Sequence, residues 1–318
     1  MELLKILKDV EILSVNGQVD IDIEDISYDS RKVKQNSMFL CIRGNTVDGH
    51  NYIDDAIQKG AIAILIDKKI SYKKDITYIR VNNVKESMAI IGKNFFQNPC
   101  QKINLIGVTG TNGKTSTVSF IKQILGYDCK VGSIGTIEIY DGEKTITSIN
   151  TTPESLDIQK NLNEMIKNNC KYCVMEVSSH ALVLNRIDNI DYEAAVFTNL
   201  TQDHLDFHKT LENYKNAKEK LFYKTKSINI FNIDDKVGEE FFNKSLNRDI
   251  KTYTYGVEKE ADFKAANIKL YDDRTEYDLI IDKQKYKVST PILGNFNVYN
   301  TLAAITTCIL LGLSREDV

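Results

Sequence analysis

The chain has 318 residues, of which 42% are hydrophobic and 27% charged, an ordinary soluble composition that allows two packed domains and speaks against disorder. A formal net charge of -3 excludes a general nucleic-acid binder, which needs a basic excess to displace counterions, so any anionic ligand has to be gripped locally. The opening Met1-Glu2-Leu3-Leu4-Lys5 lacks the form of a secretory signal, the late apolar run 308–313 is too short to insert in a bilayer, and six scattered cysteines make no disulfide framework. A cytoplasmic location with reduced thiols follows as the expectation.

Short apolar strands at 38–42, 61–66 and 77–81 alternate with helical stretches at 53–59 and 85–96, predicting a small N-terminal α/β domain over residues 1–98. Asn98-Pro99 closes its last helix, because proline lacks a donor and pushes its predecessor out of the helical region. Residues 99–318 read as a second, central domain. Its apolar start (Ile103, Leu105, Ile106, Val108) runs into Gly107–Thr117, Gly-Val-Thr-Gly-Thr-Asn-Gly-Lys-Thr-Ser-Thr, and then a helical stretch at 118–125. Strand, glycine loop and helix start together hold a nucleotide phosphate chain. Small residues let backbone N–H groups close on anionic oxygens, Lys114 reaches the outer phosphates, and a threonine hydroxyl suits Mg²⁺. The candidate contacts are Thr109, Gly110, Thr111, Asn112, Gly113, Lys114 and Thr115, with Val108 where the generic loop has a glycine.

Further strand-like segments at 131–135, 172–177, 194–200 and 227–232 are separated by helical patterns at 155–167 and 211–222. They predict a mostly parallel sheet of the phosphate-loop type with helices on both faces. Ligands gather at the carboxyl ends of such strands, where Glu176, Ser178 and Asn199 fall. A β-rich extension over 251–289 and a helix over 297–311 complete the chain. The pattern Ser314-Arg315-Glu316-Asp317 resembles a helix start, so a further element is expected beyond Val318.

Glu176 ends an apolar run, the place where a phosphate-loop protein holds Mg²⁺. Asp203-His204-Leu205-Asp206-Phe207-His208 packs two acids and two of the four histidines into six residues, a set suited to a divalent ion or to proton transfer; spacing leaves open which imidazole points inward. Cys170 and Cys173 lie too far from this cluster for a zinc-finger spacing, and Cys173 reads as a small buried hydrophobe. By periodicity, Lys218 falls on the solvated basic face of an amphipathic helix.

Five ordered motifs then combine: Gly110-Thr111-Asn112-Gly113-Lys114-Thr115, Asn150-Thr151-Thr152-Pro153, Glu176-Val177-Ser178-Ser179-His180-Ala181-Leu182, Asp203 to His208, and Gly294-Asn295-Phe296-Asn297-Val298-Tyr299-Asn300. With Asp29-Ser30-Arg31 and Asp48-Gly49-His50 in the first domain, the whole chain resembles the Mur ligases. The resemblance implies an ATP-dependent amide ligase of cytosolic peptidoglycan synthesis. It would add meso-diaminopimelate or L-lysine, as third amino acid, to UDP-N-acetylmuramoyl-L-alanyl-D-glutamate through an acyl phosphate.

It implies ATP and Mg²⁺, with Lys114, Glu176, His204 and Lys218 catalytic. Metal would be held by Thr115, Glu176, His204 and Lys218, the last matching the family's carbamylated lysine. By the same resemblance Asn297 and Asn300 approach the nucleoside, and Tyr28, Ser30 and the Asn45-Thr46-Val47 turn meet the uridine diphosphate. Asn150, Thr151, Thr152, Ser178 and Arg186 would meet the muramoyl-peptide. The implied partners are that UDP-sugar peptide and an amino acid, without nucleic acid or membrane insertion; nothing in the sequence fixes the oligomeric state. The family's third domain, which binds the incoming amino acid, is expected to be absent, leaving a fragment or truncated product. Another Mur-type ligase, a folylpolyglutamate ligase and a non-catalytic UDP-sugar and nucleotide-binding module are the alternatives.

Overall fold

The computed structural model describes residues 1–44 and 47–315. Asn45 and Thr46, two expected uridine-diphosphate contacts, and Asp317 of the expected helix cap lie outside the described residues. The chain divides into two compact units. One comprises Met1–Pro99 with Glu154–Lys160 and Leu184–Asn189, the other Cys100–Pro153, Asn161–Val183 and the chain from Ile190 on.

In the first unit, strands β1 (Ile12–Asn16), β2 (Asp25–Ser27), β3 (Ser37–Leu40), β4 (Ala61–Ile66) and β5 (Thr77–Val81) form a sheet in the order β1-β5-β4-β3-β2. β2 to β5 run parallel, and β1 lies antiparallel on β5. β4 reads Ala-Ile-Ala-Ile-Leu-Ile without alternation because apolar clusters cover both its faces. Leu65 packs with Met38, Ile79, Met88 and Ile91 on one side, and Ile64 with Phe39, Ile53, Ala56 and Tyr78 on the other. Helices α1 (Leu3–Ile6), α2 (Ile53–Gln58) and α3 (Val84–Phe95) accompany it; Asn83 starts α3 by accepting bonds from the Lys85 and Glu86 amides.

The second unit is built on β6 (Asn104–Thr109), β7 (Val131–Ile134), β8 (Glu138–Tyr140), β9 (Thr145–Thr147), β10 (Tyr172–Glu176), β11 (Tyr192–Phe197), β12 (Thr225–Asn232), β13 (Lys251–Gly256), β14 (Phe263–Leu270), β15 (Thr275–Ile281) and β16 (Gln284–Thr290). Their order is β16-β15-β14-β13-β12-β11-β6-β10-β7-β8-β9. β7, β10, β6, β11, β12, β13 and β14 are parallel neighbours, and the hairpins β8–β9 and β15–β16 extend the two edges antiparallel. The mixed α/β architecture expected from the strand–helix alternation is therefore present. The β-rich stretch continues the same sheet.

The remaining helices are α4 (Lys114–Leu125), α5 (Ser155–Lys167), α6 (Ser179–Val183), α7 (Leu205–His208), α8 (Leu211–Glu219), α9 (Lys236–Ser245) and α10 (Asn295–Leu310). Ile121 and Leu125 of α4 with Leu302 and Ala303 of α10 bury Ile106, Val108, Val174, Val196 and Ile230 of the central strands. β6 lies between β10 and β11, so three adjacent central strands deliver residues 109–115, 176–178 and 198–200 to the same carboxyl end of the sheet. β11 stops at Phe197, short of the run read as strand, which frees Thr198–Leu200 to make other bonds. Among the described residues, no helix is long and apolar enough to cross a membrane.

Candidate active site

The turn after β6 is shaped by close approach. A Cβ on Gly110 would stand 1.9 Å from the Thr198 hydroxyl, and one on Gly113, whose φ is +83°, would stand 2.3 Å from Asn300 Oδ1. Only glycine fits either place. The chain after β11 fixes the turn: the Asn199 carbonyl accepts from the Thr111 amide at 2.8 Å, Asn199 Oδ1 from the Asn112 amide at 3.0 Å, and Thr198 Oγ1 donates to the Asn112 carbonyl at 2.6 Å. α4 then starts at Lys114 with no side chain capping it, so its first N–H groups present the positive end of the helix. That end borders a cavity of about 340 Å³. An anion-receiving turn is the result.

Glu176, buried at the end of β10, also lines that cavity. Its Oε2 accepts from the hydroxyls of Thr115 and Thr136, each at 3.0 Å, and its Oε1 from the Thr136 amide at 2.8 Å. Thr136 Oγ1 also lies 3.1 Å from Thr151 Oγ1. Thr152 donates to the Glu176 carbonyl at 2.9 Å and accepts from the Ser178 amide at 3.0 Å, while Ser178 Oγ caps α6 by accepting from Ala181 N. Thr115 and Glu176 thus set a hydroxyl beside a carboxylate, two hard oxygen donors of the kind Mg²⁺ prefers. Among the described residues no group of three or more His, Cys, Asp or Glu gathers to hold a metal.

Lys218 corrects the periodicity reading. Its side chain is not solvated but buried, at 1% exposure, and Nζ donates to the Gly110 carbonyl at 2.7 Å while standing 4.4 Å over the Tyr214 ring. α8 turns Tyr214, Ala217 and Lys218 inward as one stripe, so the lysine occupies a core position of its helix. Burial, and then the neighbouring Lys114 ammonium, push the Lys218 amine well below the usual lysine range against the pull of Asp203. Lys114 is also lowered by burial, with Glu176 and Asp203 opposing; its Nζ donates to the carbonyls of Gly110 at 3.0 Å and Thr111 at 2.8 Å.

His208 is the buried imidazole of the histidine cluster, with Nε2 at 2.9 Å from Ser179 Oγ. Burial, then the charges of His180, Lys218 and His204, lower it to about 4. His204 instead lines the cavity from a left-handed backbone position, φ +50°, with its ring 4.9 Å from that of His180. A side-chain-bearing residue seldom adopts that conformation, and such outliers concentrate at functional places.

The other expected residues fall in several settings. Thr109 is buried and ties β6 to the Val177 carbonyl at 2.8 Å. Asn300 faces Gly113 and donates to Asn297 Oδ1 at 3.3 Å. Asn150 is exposed, its carbonyl accepting from Ser148. In the first unit, Tyr28, Ser30 and Val47 line a cavity of about 440 Å³ together with Arg31, Ile42 and Tyr52. Tyr28 donates to the Asp157 carboxylate, and Arg186 pairs with Glu154 at 2.9 Å. Thr136 and Tyr214 are cavity residues that motif reading missed. Tyr214 was legible in the inward stripe of α8, whereas nothing in the sequence around Gly135-Thr136 marks it.

Two family descriptions match the chain: Mur ligase middle domain over residues 108–308, and Mur ligase family, catalytic domain, over residues 22–96. The chain belongs to the Mur ligase family. It is 48% identical, over 99% of its own length, to a UDP-N-acetylmuramoyl-L-alanyl-D-glutamate--2,6-diaminopimelate ligase of Clostridioides difficile, and 46% identical over 100% to a ligase of that description from Clostridium acetobutylicum. It spans 65% of the length of each. A solved structure of a ligase of the same description superposes with a TM-score of 0.83 at 25% identity, covering 100% of this chain and 65% of that one. The MurF ligase of Thermotoga maritima, solved in complex with ADP, shares the fold at a TM-score of 0.65 and 20% identity, over 92% of this chain and 65% of that one. In this Mur ligase chain Val108 belongs to the buried core of β6, and the glycines that shape the turn are Gly110 and Gly113.

Proposed function

We propose that the chain binds ATP with Mg²⁺ on its second unit and a UDP-N-acetylmuramoyl-dipeptide through its first. In this reading it serves the cytoplasmic ligase that joins a third amino acid to UDP-N-acetylmuramoyl-L-alanyl-D-glutamate. Residues 1–98 would act as the UDP-sugar domain and 99–318 as the ATP domain. The observation that carries the reading is the convergence of the uncapped α4 start, Lys114, Thr115 and buried Glu176 on one cavity. The names of the relatives favour diaminopimelate over lysine as the amino acid added.

The chemistry follows from the groups. A carboxylate is a poor electrophile, so its oxygen first attacks the γ-phosphorus of ATP; the bond to the ADP oxygen breaks and an acyl phosphate forms. The amine lone pair then attacks the acyl carbon, the bond to phosphate breaks, and the nitrogen loses a proton to leave an amide. Lys114 exchanges its carbonyl partners for phosphate oxygens and offsets their charge. Thr115, Glu176 and His204 would hold magnesium, which supplies positive charge against the phosphates when bound. Asn297 and Asn300 would meet the nucleoside, and Thr151, Thr152, Ser178 and Arg186 the peptide.

Lys218 cannot ligate a cation as an ammonium. Burial makes its amine shed a proton more readily, however, and the nitrogen so freed would attack CO₂ and lose a further proton, giving a carbamate able to join Thr115, Glu176 and His204. Calorimetric titration of the 318-residue chain tests the whole reading. ATP with Mg²⁺ and UDP-N-acetylmuramoyl-L-alanyl-D-glutamate should each bind. Failure of the UDP-sugar peptide to bind, with a folate substrate binding instead, would sink it.

A further inference from the structure

The chain leaving β12, Asn232-Ile233-Asp234-Asp235, carries three polar side chains that tie it to neighbouring segments. Asn232 Nδ2 donates to the Thr198 carbonyl at 2.8 Å. Asp235 Oδ2 accepts from the Leu200 amide at 3.0 Å, while its Oδ1 caps α9 through Val237 N at 2.9 Å and Gly238 N at 3.2 Å. These two residues therefore grip both ends of Thr198–Leu200, the stretch whose own groups fix the Thr111 and Asn112 amides of the phosphate turn.

Asp234 reaches elsewhere. Its carboxylate accepts from the amides of Val257 at 2.6 Å, Glu258 at 2.9 Å and Lys259 at 2.8 Å, which fix it to the end of β13. A fourth bond comes from the Tyr299 hydroxyl at 2.9 Å. Tyr299 lies in the same helical turn as Asn297 and Asn300, and Asn300 is the residue that stands against Gly113. Rotating or sliding α10 would therefore break the Tyr299 bond and displace the Asn297 and Asn300 side chains, while the turn itself stays held by Thr198–Leu200. The three backbone donors leave the carboxylate little freedom to follow, so the bond acts as a fixed stop.

We propose that Asp234 and Tyr299 are positioning residues that hold the α10 asparagines in register for a nucleoside, while Asn232 and Asp235 hold the phosphate turn. This inference rests on the nucleotide reading above. It predicts a separation of effects that a general loss of rigidity does not. Tyr299→Phe removes one hydroxyl and leaves the Asp234 carboxylate its three backbone donors. It should weaken ATP binding about three- to tenfold, the worth of one hydrogen bond to a charged or neutral partner, and leave inorganic tripolyphosphate binding unchanged.

Asp235→Asn keeps a capping side chain for α9 but weakens the grip on Leu200, and should weaken ATP and tripolyphosphate alike. Both ligands are titrated by calorimetry into the full chain, with thermal unfolding recorded for each variant. Equal affinity of Tyr299→Phe and the parent for ATP overturns the inference alone, as does an equal loss for both ligands in that variant. If the parent chain binds neither ligand, the nucleotide reading falls and takes the inference with it.

Discussion

The two cavities are built on opposite principles. In the second unit the walls are polar and internally committed: Glu176 accepts three hydrogen bonds, Lys114 and Lys218 converge on the Gly110 carbonyl, and α4 supplies uncapped amides. In the first unit the lining mixes Tyr28, Ile42, Val47 and Tyr52 with an Arg31 that is mostly in solvent. A phosphate chain needs fixed, desolvated donors, whereas a surface of aromatic and aliphatic groups suits a flat base and a sugar. Charge changes should thus be costly in the former and graded in the latter. The sharpest break is Lys114→Ala, which removes a half-buried cation bonded at two carbonyls. ATP affinity measured by calorimetry should fall about a hundredfold, and an unchanged affinity would refute the role of the turn.

The second expectation addresses the other side of the contrast. Val47 is 50% exposed and borders the first cavity, so Val47→Glu places a negative charge beside the expected diphosphate without disturbing a core. UDP-N-acetylmuramoyl-L-alanyl-D-glutamate should bind about tenfold more weakly at low salt, the loss shrinking as salt screens it, and ATP should be unaffected. A loss for both ligands would mean that the two cavities are not separate binding places.

The sequence was most readable where a side chain's chemistry and the element's period agreed. β4 is a continuous apolar run because both its faces are covered, and the glycine turn announced itself through Gly-Lys-Thr. Lys218 was misread because a lysine counts as polar in any periodicity, although Tyr214, Ala217 and Lys218 trace one inward stripe. What holds that lysine inside is the Gly110 carbonyl, 108 residues away in sequence, a contact no local pattern encodes. The same holds for Thr136 on Glu176 and Tyr299 on Asp234, partners 40 and 65 residues apart. Local pattern places elements; hydrogen bonds between strand ends are a property of the sheet order.

A smaller effect follows from Lys218 itself. ¹³C-enriched bicarbonate should give a carbamate resonance at pH 8 that is absent in Lys218→Met. Lowering the pH should erase it, since protonation of the amine removes the lone pair that attacks CO₂. The same variant should weaken Mg²⁺-ATP only about threefold, the worth of one ligand or hydrogen bond among several. A resonance persisting in Lys218→Met would place the carbamate on another amine.

The smallest effect concerns stability. His208 is lowered to about 4 in the folded chain, chiefly by burial, against about 6.5 for a free imidazole. Above pH 6.5 the ring is neutral in both states, and its contribution is fully present. Between 6.5 and 4 the unfolded chain binds a proton that the folded chain refuses, so stability falls as the pH falls; below 4 both are protonated and the slope flattens. His208→Gln keeps a polar group within reach of Ser179 and removes the titration. Urea midpoints at pH 7, 5.5 and 4.5 should therefore decline more steeply in the parent than in the variant. Parallel declines would mean that the acid sensitivity of the second unit comes from carboxylates instead and owes nothing to this buried imidazole.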